Sequence, residues 1–190
     1  MNTITNFLKF FYLLILCFTS KVVIASSNIE VVAENSIDYK AVLSQQLLEQ
    51  PFVLENILLL QRDGKEVYLY NINKDKFIIL NFFAPWIPEC KYQLNSLYEL
   101  QERLKVMKND QIKIINIAQD YDKTLQYLAK EKIKLDFYFD PNGKMMHHLG
   151  INMPPAVILL NKNKEVLAKY VNTYNWNEKS VLEFIEKLNK

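Results

Sequence analysis

The stretch Phe77-Ile-Ile-Leu-Asn-Phe-Phe-Ala-Pro-Trp-Ile-Pro-Glu-Cys-Lys-Tyr-Gln-Leu-Asn-Ser-Leu-Tyr-Glu-Leu100 changes period in its middle. Phe77 to Phe83 is a nearly continuous apolar run of strand length, the pattern of a strand covered on both faces. It stops at Ala84-Pro85. From Pro88 onward Cys90, Leu94, Leu97 and Leu104 fall on one face of a helix, which begins with Pro in its first turn and Glu89 near the positive end of its dipole. A buried strand therefore feeds directly into a helix.

Working outward, Ile112 to Ala118 reads as a second buried strand, Asp122 to Lys132 as a short helix with Leu125 and Leu128 inward, and Leu135 to Phe139 as a third strand. Asp140-Pro141-Asn142-Gly143 is a strong turn signal. A short helix over Lys144 to Leu149 leads to Pro154-Pro155, and a strand over Ala156 to Leu160 follows. A turn at Asn161 to Lys164, a strand over Glu165 to Val171 and a last helix over Glu178 to Leu188 complete this part. Upstream, Ile57 to Leu60 is a short apolar run, Arg62 to Lys65 a hairpin turn, and Glu66 to Tyr70 alternates like a half-buried strand. Strands alternating with helices and closing on a hairpin predict an α/β fold, a central mixed β-sheet flanked by helices, with an extra N-terminal β-hairpin.

The first residues carry a different message. Lys9 precedes the apolar run Phe10 to Phe18, and the more polar TSKVVIASS follows with small residues at its end, which is a secretory signal layout. An uncleaved anchor is the competing reading. A run of nine is well short of the roughly 20 residues that a spanning helix needs, and Lys21 interrupts its extension. The chain thus divides into a signal peptide or N-terminal anchor (1–25), a segment with a short amphipathic helix (26–51, through Tyr39, Val42, Leu43, Leu47 and Leu48) and one domain (52–190). The expected destination is outside the cytoplasm, in the periplasm or anchored facing it. Membrane contact is expected only if the first segment is retained.

Composition removes several classes. Half of the 190 residues are hydrophobic and 23% are charged, as in a folded domain. Arg occurs only at 62 and 103, and the lysines are interspersed with acids, so no basic block supports nucleic-acid binding. Loss of Lys9 and Lys21 with the leader leaves 21 basic residues against 21 acidic ones, a mature chain with no net charge to steer it. Two Cys residues close at most one disulfide, and Cys17 lies inside the leader. Cys90 is then the one thiol of the mature chain.

The segment around Cys90 resembles the thioredoxin superfamily: a buried strand ending in Phe-x-Ala-x-Trp runs into a helix with Pro and Cys in its first turn. Asn81, in place of a buried Asp, is similar to the exported TlpA/ResA-type branch. The hairpin Arg62 to Tyr70 and the turn Phe139 to Lys144 resemble further elements of that branch, and Met153 to Leu159 resembles the segment that carries its cis-proline, here Pro155. The resemblance runs over about residues 52 to 188. It implies a thioredoxin-like fold, thiol-disulfide exchange with protein partners, and a role in an envelope redox pathway such as cytochrome c maturation.

One residue departs from the pattern. Where the family reads Trp-Cys-x-x-Cys, this chain reads Trp86-Ile87-Pro88-Glu89-Cys90. The missing first cysteine is the attacking thiolate of the family, and Cys90 corresponds to the resolving one. Without a nucleophile at 87 the dithiol cycle is closed to an isolated chain. Cys90 is either a buried thiol packed with Leu94 and Leu97 or a reactive monothiol that exchanges with a thiol-containing partner. Peroxidase activity ranks behind both, because the Thr or Ser and the Pro that activate peroxide in peroxiredoxins are replaced by Ile87 and Phe83. Trp86, Ile87, Pro88, Pro154 and Pro155 form the expected apolar groove for an extended polypeptide. Glu89 is an acid or base beside Cys90, or a solvated residue complementing the helix dipole. No cofactor is expected, and no metal: consecutive His147 and His148 point about 100° apart on a helix, and copper delivery of the Sco type would want two Cys with a His.

Overall fold

The computed structural model describes residues 48, 50–72 and 74–187. The expected leader 1–25, Cys17 and nearly all of the expected helix between 36 and 50 lie outside these residues. Leu48 is described, and its N–H donates to the carbonyl of Leu167 at 3.1 Å.

Seven strands form one mixed sheet: β1 (Leu58–Leu60), β2 (Glu66–Tyr68), β3 (Phe77–Phe83), β4 (Ile112–Ala118), β5 (Phe137–Phe139), β6 (Ala156–Leu160) and β7 (Val166–Val171). Their spatial order is β2-β1-β5-β4-β3-β6-β7. β3 is central. It pairs parallel with β4 from Phe77↔Ile112 to Phe83↔Ala118 and antiparallel with β6 from Ile78↔Leu160 to Phe82↔Ala156. β4 also pairs parallel with β5, while β6–β7, β1–β2 and β1–β5 are antiparallel. Five helices complete the described residues: α1 (Leu69–Ile72), α2 (Pro88–Val106), α3 (Tyr121–Lys130), α4 (Lys144–His148) and α5 (Lys179–Lys187).

The nearly continuous apolar run of β3 has its cause in two cores. Ile78, Leu80 and Phe82 face one core with Ile115, Ile117, Ile158 and Leu160 of the neighbouring strands and with Met145 of α4. Phe83 faces the other with Ala118, Phe137 and Phe139, closed by Cys90 and Leu94 of α2 and Leu128 of α3. All seven residues of β3 are buried, so neither face alternates with polar residues.

Two boundaries and one burial position differ from the sequence reading. The strand expected to reach Tyr70 ends at Tyr68, because the N–H of Leu69 donates to Ile57 O (2.9 Å) and that of Tyr70 to Asn56 Oδ1 (3.0 Å), turning the chain into α1. The strand expected from Leu135 starts at Phe137, since the carbonyl of Asp136 accepts from Asn116 Nδ2 (3.1 Å). In α3 the fully buried positions are Thr124 and Leu128, and Leu125 is only half-buried. The other elements follow the expected ranges within a residue or two.

The Asp140 turn positions α4. The N–H of Gly143 donates to Asp140 O (2.9 Å), Gly143 adopts φ +63°, and the buried carboxylate of Asp140 accepts from the N–H groups of Lys144 (3.0 Å) and Met145 (2.8 Å). It satisfies two donors at the start of the helix that would otherwise be orphaned. Asp140→Ala should lower the unfolding free energy by about 1–2 kcal/mol, read as a shifted urea midpoint at unchanged slope, and Asp140→Asn should cost less.

Candidate functional site

The chain leaves β3 through Ala84-Pro85-Trp86 and enters α2 at Ile87. The N–H of Ile87 donates to Ala84 O (3.2 Å) and that of Cys90 to Ile87 O (3.1 Å). Ile87 is the N-cap residue, extended at φ −99° and ψ 115°, with no side-chain cap, and Pro88 follows in the first turn. This end of α2 therefore carries the electropositive N–H groups of any helix start, and its N-cap residue has an aliphatic side chain that cannot cap them. Ile87 itself is half-buried and packs on the core that contains Cys90.

Cys90 is 1% exposed. Burial pushes its thiol up from 9.0 to about 11; a hydrogen bond to the Ala84 backbone opposes this, and the negative charge of Glu89 adds to it. At that value about one thiol in ten thousand is ionised at neutral pH. Cys90 is also the free cysteine of the described residues.

The other expected site residues lie at the same end of the sheet, though not equally exposed. Trp86 is 57% exposed and Pro88 and Glu89 are exposed. The register Phe82↔Ala156 puts Pro155, the residue before β6, beside the end of β3 from which Trp86 and Ile87 emerge. The Pro154–Pro155 bond is cis. Pro154 is half-buried, whereas Pro155 is buried, with its carbonyl accepting from Asn172 N–H at 3.1 Å. Met153 next to them is 65% exposed. His148 lies against Phe52, with ring centroids 6.1 Å apart, and the described residues contain no group of three His, Cys, Asp or Glu able to hold a metal.

Two further features were not singled out from the sequence. Behind Cys90, one turn along α2, Gln93 Nε2 donates to Asn81 Oδ1 (3.0 Å), Asn81 Nδ2 to Asn116 Oδ1 (2.9 Å), and Asn116 Nδ2 to Asp136 O (3.1 Å). All three amides are buried. A polar residue on the apolar face of α2, three positions after Cys90, was the available signal for this chain. At the surface, Lys123 Nζ lies 5.0 Å from the Trp86 ring centroid, a cation–π contact, and pairs with Asp120 Oδ2 at 2.9 Å. Asp120 also caps α3 by accepting from Lys123 N–H (2.9 Å). No local sequence pattern joins positions 86 and 123.

Fold and site together define a thioredoxin-like protein of the thiol-disulfide oxidoreductase type. Residues 23–185 match the Redoxin family model, and the chain belongs to that family. Within the thioredoxin-like superfamily it falls in the TlpA/ResA-type branch. It is similar to a thioredoxin-like protein of Haemophilus influenzae, 26% identical over 136 residues, covering 72% of this chain and 79% of that one. It is likewise similar to sporulation thiol-disulfide oxidoreductase A of Bacillus subtilis, 26% identical over 121 residues, covering 62% and 72%. The crystal structure of a protein described as thiol:disulfide interchange protein DsbE from Chlorobium tepidum superposes with a TM-score of 0.62 at 19% identity, covering 73% of this chain and 96% of that one.

Three measurements check this geometry. Alkylation of Cys90 in the native protein should be slow at neutral pH and accelerate with each pH unit toward about 11, reaching the rate of a free thiol only on denaturation. Because the folded thiol titrates above its unfolded value, the stability it contributes is complete below pH 9 and is lost as the pH rises toward 11. Wild type should therefore lose more unfolding free energy over that window than Cys90→Ala does. Separately, Asn81→Leu strands Gln93 Nε2 and Asn116 Oδ1 and should cost about 2–4 kcal/mol in urea unfolding.

Proposed function

We propose that this chain is an exported thioredoxin-like protein that has given up the dithiol cycle and holds an extended polypeptide partner at the apolar end of α2. The observation that carries the reading is the enclosure of Cys90 beneath Ile87. The position that meets a substrate disulfide in the family is an aliphatic side chain, and the remaining sulfur is buried and protonated. Ile87 has no atom that could form a mixed disulfide, so Cys90 has nothing to resolve. The same facts weigh against a monothiol exchange enzyme and against a peroxidase, both of which need a reachable thiolate.

What remains is suited to binding. Exposed Trp86, half-buried Ile87 and Pro154, and Pro88 present apolar surface beside the start of β6, with Pro155 buried next to them. Exposed aromatic surface of this kind anchors peptide partners, and Lys123 holds one face of Trp86. Export rests on the leader-like residues 1–25, which give a periplasmic protein if cleaved and an anchored one if retained. Among the described residues no helix is long and apolar enough to cross a membrane.

The test pairs two assays. In dithiothreitol-driven insulin reduction the natural protein should remain at the uncatalysed rate, whereas Ile87→Cys, which restores Cys-x-x-Cys, should rise well above it. Equal turnover by both would sink the proposal. In a binding assay with carboxymethylated insulin chains, Trp86→Ala should weaken the complex by about tenfold, with the fold unchanged by circular dichroism.

A further inference from the structure

A second surface, separate from the Trp86 end, runs along the flank of α2. Two cavities of about 540 and 370 Å³ lie between this helix and the residues that lead from α3 into β5, and they share Gln101, Lys105, Lys134 and Leu135 as walls. They form one groove. It extends along α2 from Leu94 to the loop at Asn109, about 20 Å at the rise of a helix. Its existence follows from the short β5: the carbonyl of Asp136 is taken by Asn116 Nδ2, and residues 132 to 136 run beside the sheet without pairing into it.

The lining has a definite chemical character. Leu94, Ile133 and Leu135 supply an apolar floor at one end and Ile112 and Ile114 at the other. Lys113, Lys132 and Lys134 line the groove, and none of them forms an ion pair among the described residues. Lys105 is paired with Glu102 at 2.6 Å, and Asp136 is the other acid of the lining. The balance is therefore positive in a chain that is otherwise nearly neutral. At the far end Asn109 Oδ1 accepts from Gln111 N–H (2.9 Å), while its Nδ2 is buried with no acceptor, a donor suited to a carbonyl or carboxylate.

We infer that this groove binds an acidic polypeptide segment in extended form, with apolar side chains on the floor and carboxylates on Lys113, Lys132 and Lys134. A length of about 20 Å accommodates about six residues of extended chain, more than a small organic anion fills. The site is independent of the Trp86 surface and of any thiol chemistry. It gives a protein whose formal net charge is only +2 a local means of selecting acidic partners.

The test is fluorescence anisotropy of the purified protein with labelled peptides of about six residues in which Leu alternates with Glu, with Gln or with Lys. The Glu peptide should bind best, and its affinity should fall as ionic strength rises. Lys113→Glu combined with Lys134→Glu should weaken it by about tenfold or more, Lys134→Gln alone by about threefold, and Lys187→Glu on α5 should leave it unchanged. Near-ultraviolet circular dichroism verifies the fold of each variant, and the exposed Lys134→Gln keeps the test decisive if the double variant misfolds. Equal affinity for all three peptides, or no loss in Lys134→Gln, overturns the proposal. Displacement of the Glu peptide by an equal concentration of free glutarate also overturns it, by making the groove a small-anion site.

Discussion

A polar side chain in the middle of a strand buried on both faces has to be hydrogen-bonded, and Asn81 is that side chain. Its carboxamide accepts from Gln93 and donates to Asn116, which in turn donates to the carbonyl of Asp136. One chain of amides thus fixes helix α2 to the central strand, the central strand to β4, and β4 to the entrance of β5. Each link is neutral, so the connection costs no buried charge. With α2 held at this height its first turn carries Cys90 into the core formed by Phe83, Ala118 and Phe137.

The surface consequences follow from the same placement. Because α2 begins directly after β3, Trp86 is carried on the short connection out of the sheet and left exposed, while Ile87 covers the helix start. Because Asp136 gives its carbonyl to Asn116, β5 is only three residues long, and a groove opens between α2 and the residues before it. An interior hydrogen-bond network therefore shapes both surfaces. The two faces differ in kind: aromatic and proline-rich at one, apolar with unpaired lysines at the other.

Much of this fold was legible in the sequence because β3, β4 and β6 are almost wholly buried and read as apolar runs, interrupted by Asn81, Lys113 and Asn116, whose limits coincide with the strands. The helix spacing of Cys90, Leu94, Leu97 and Leu104 likewise announced which face of α2 is buried. What escaped were features made by side chains acting at a distance. The strand before α1 ends early because Asn56 captures a backbone N–H 14 residues away, and β5 starts late because Asn116 captures a carbonyl 20 residues away. Nothing in local periodicity records such a capture. The depth of the expected site residues was not legible either: that Pro155 is buried while Trp86 is exposed depends on how the two strand ends meet.

The change at position 87 and the state of Cys90 reinforce each other. A catalytic thiolate at a helix start needs water, open N–H groups and room for an incoming disulfide, and these conditions also hold down the pKa of a second sulfur one turn below. An isoleucine replaces all of that with hydrocarbon. Its side chain packs on the core around Cys90, and burial is the first cause of the thiol's shift. On the proposed reading, an apolar residue at the helix start and a protonated sulfur in the core below it are mutually compatible, because neither asks for water or charge at this end of α2.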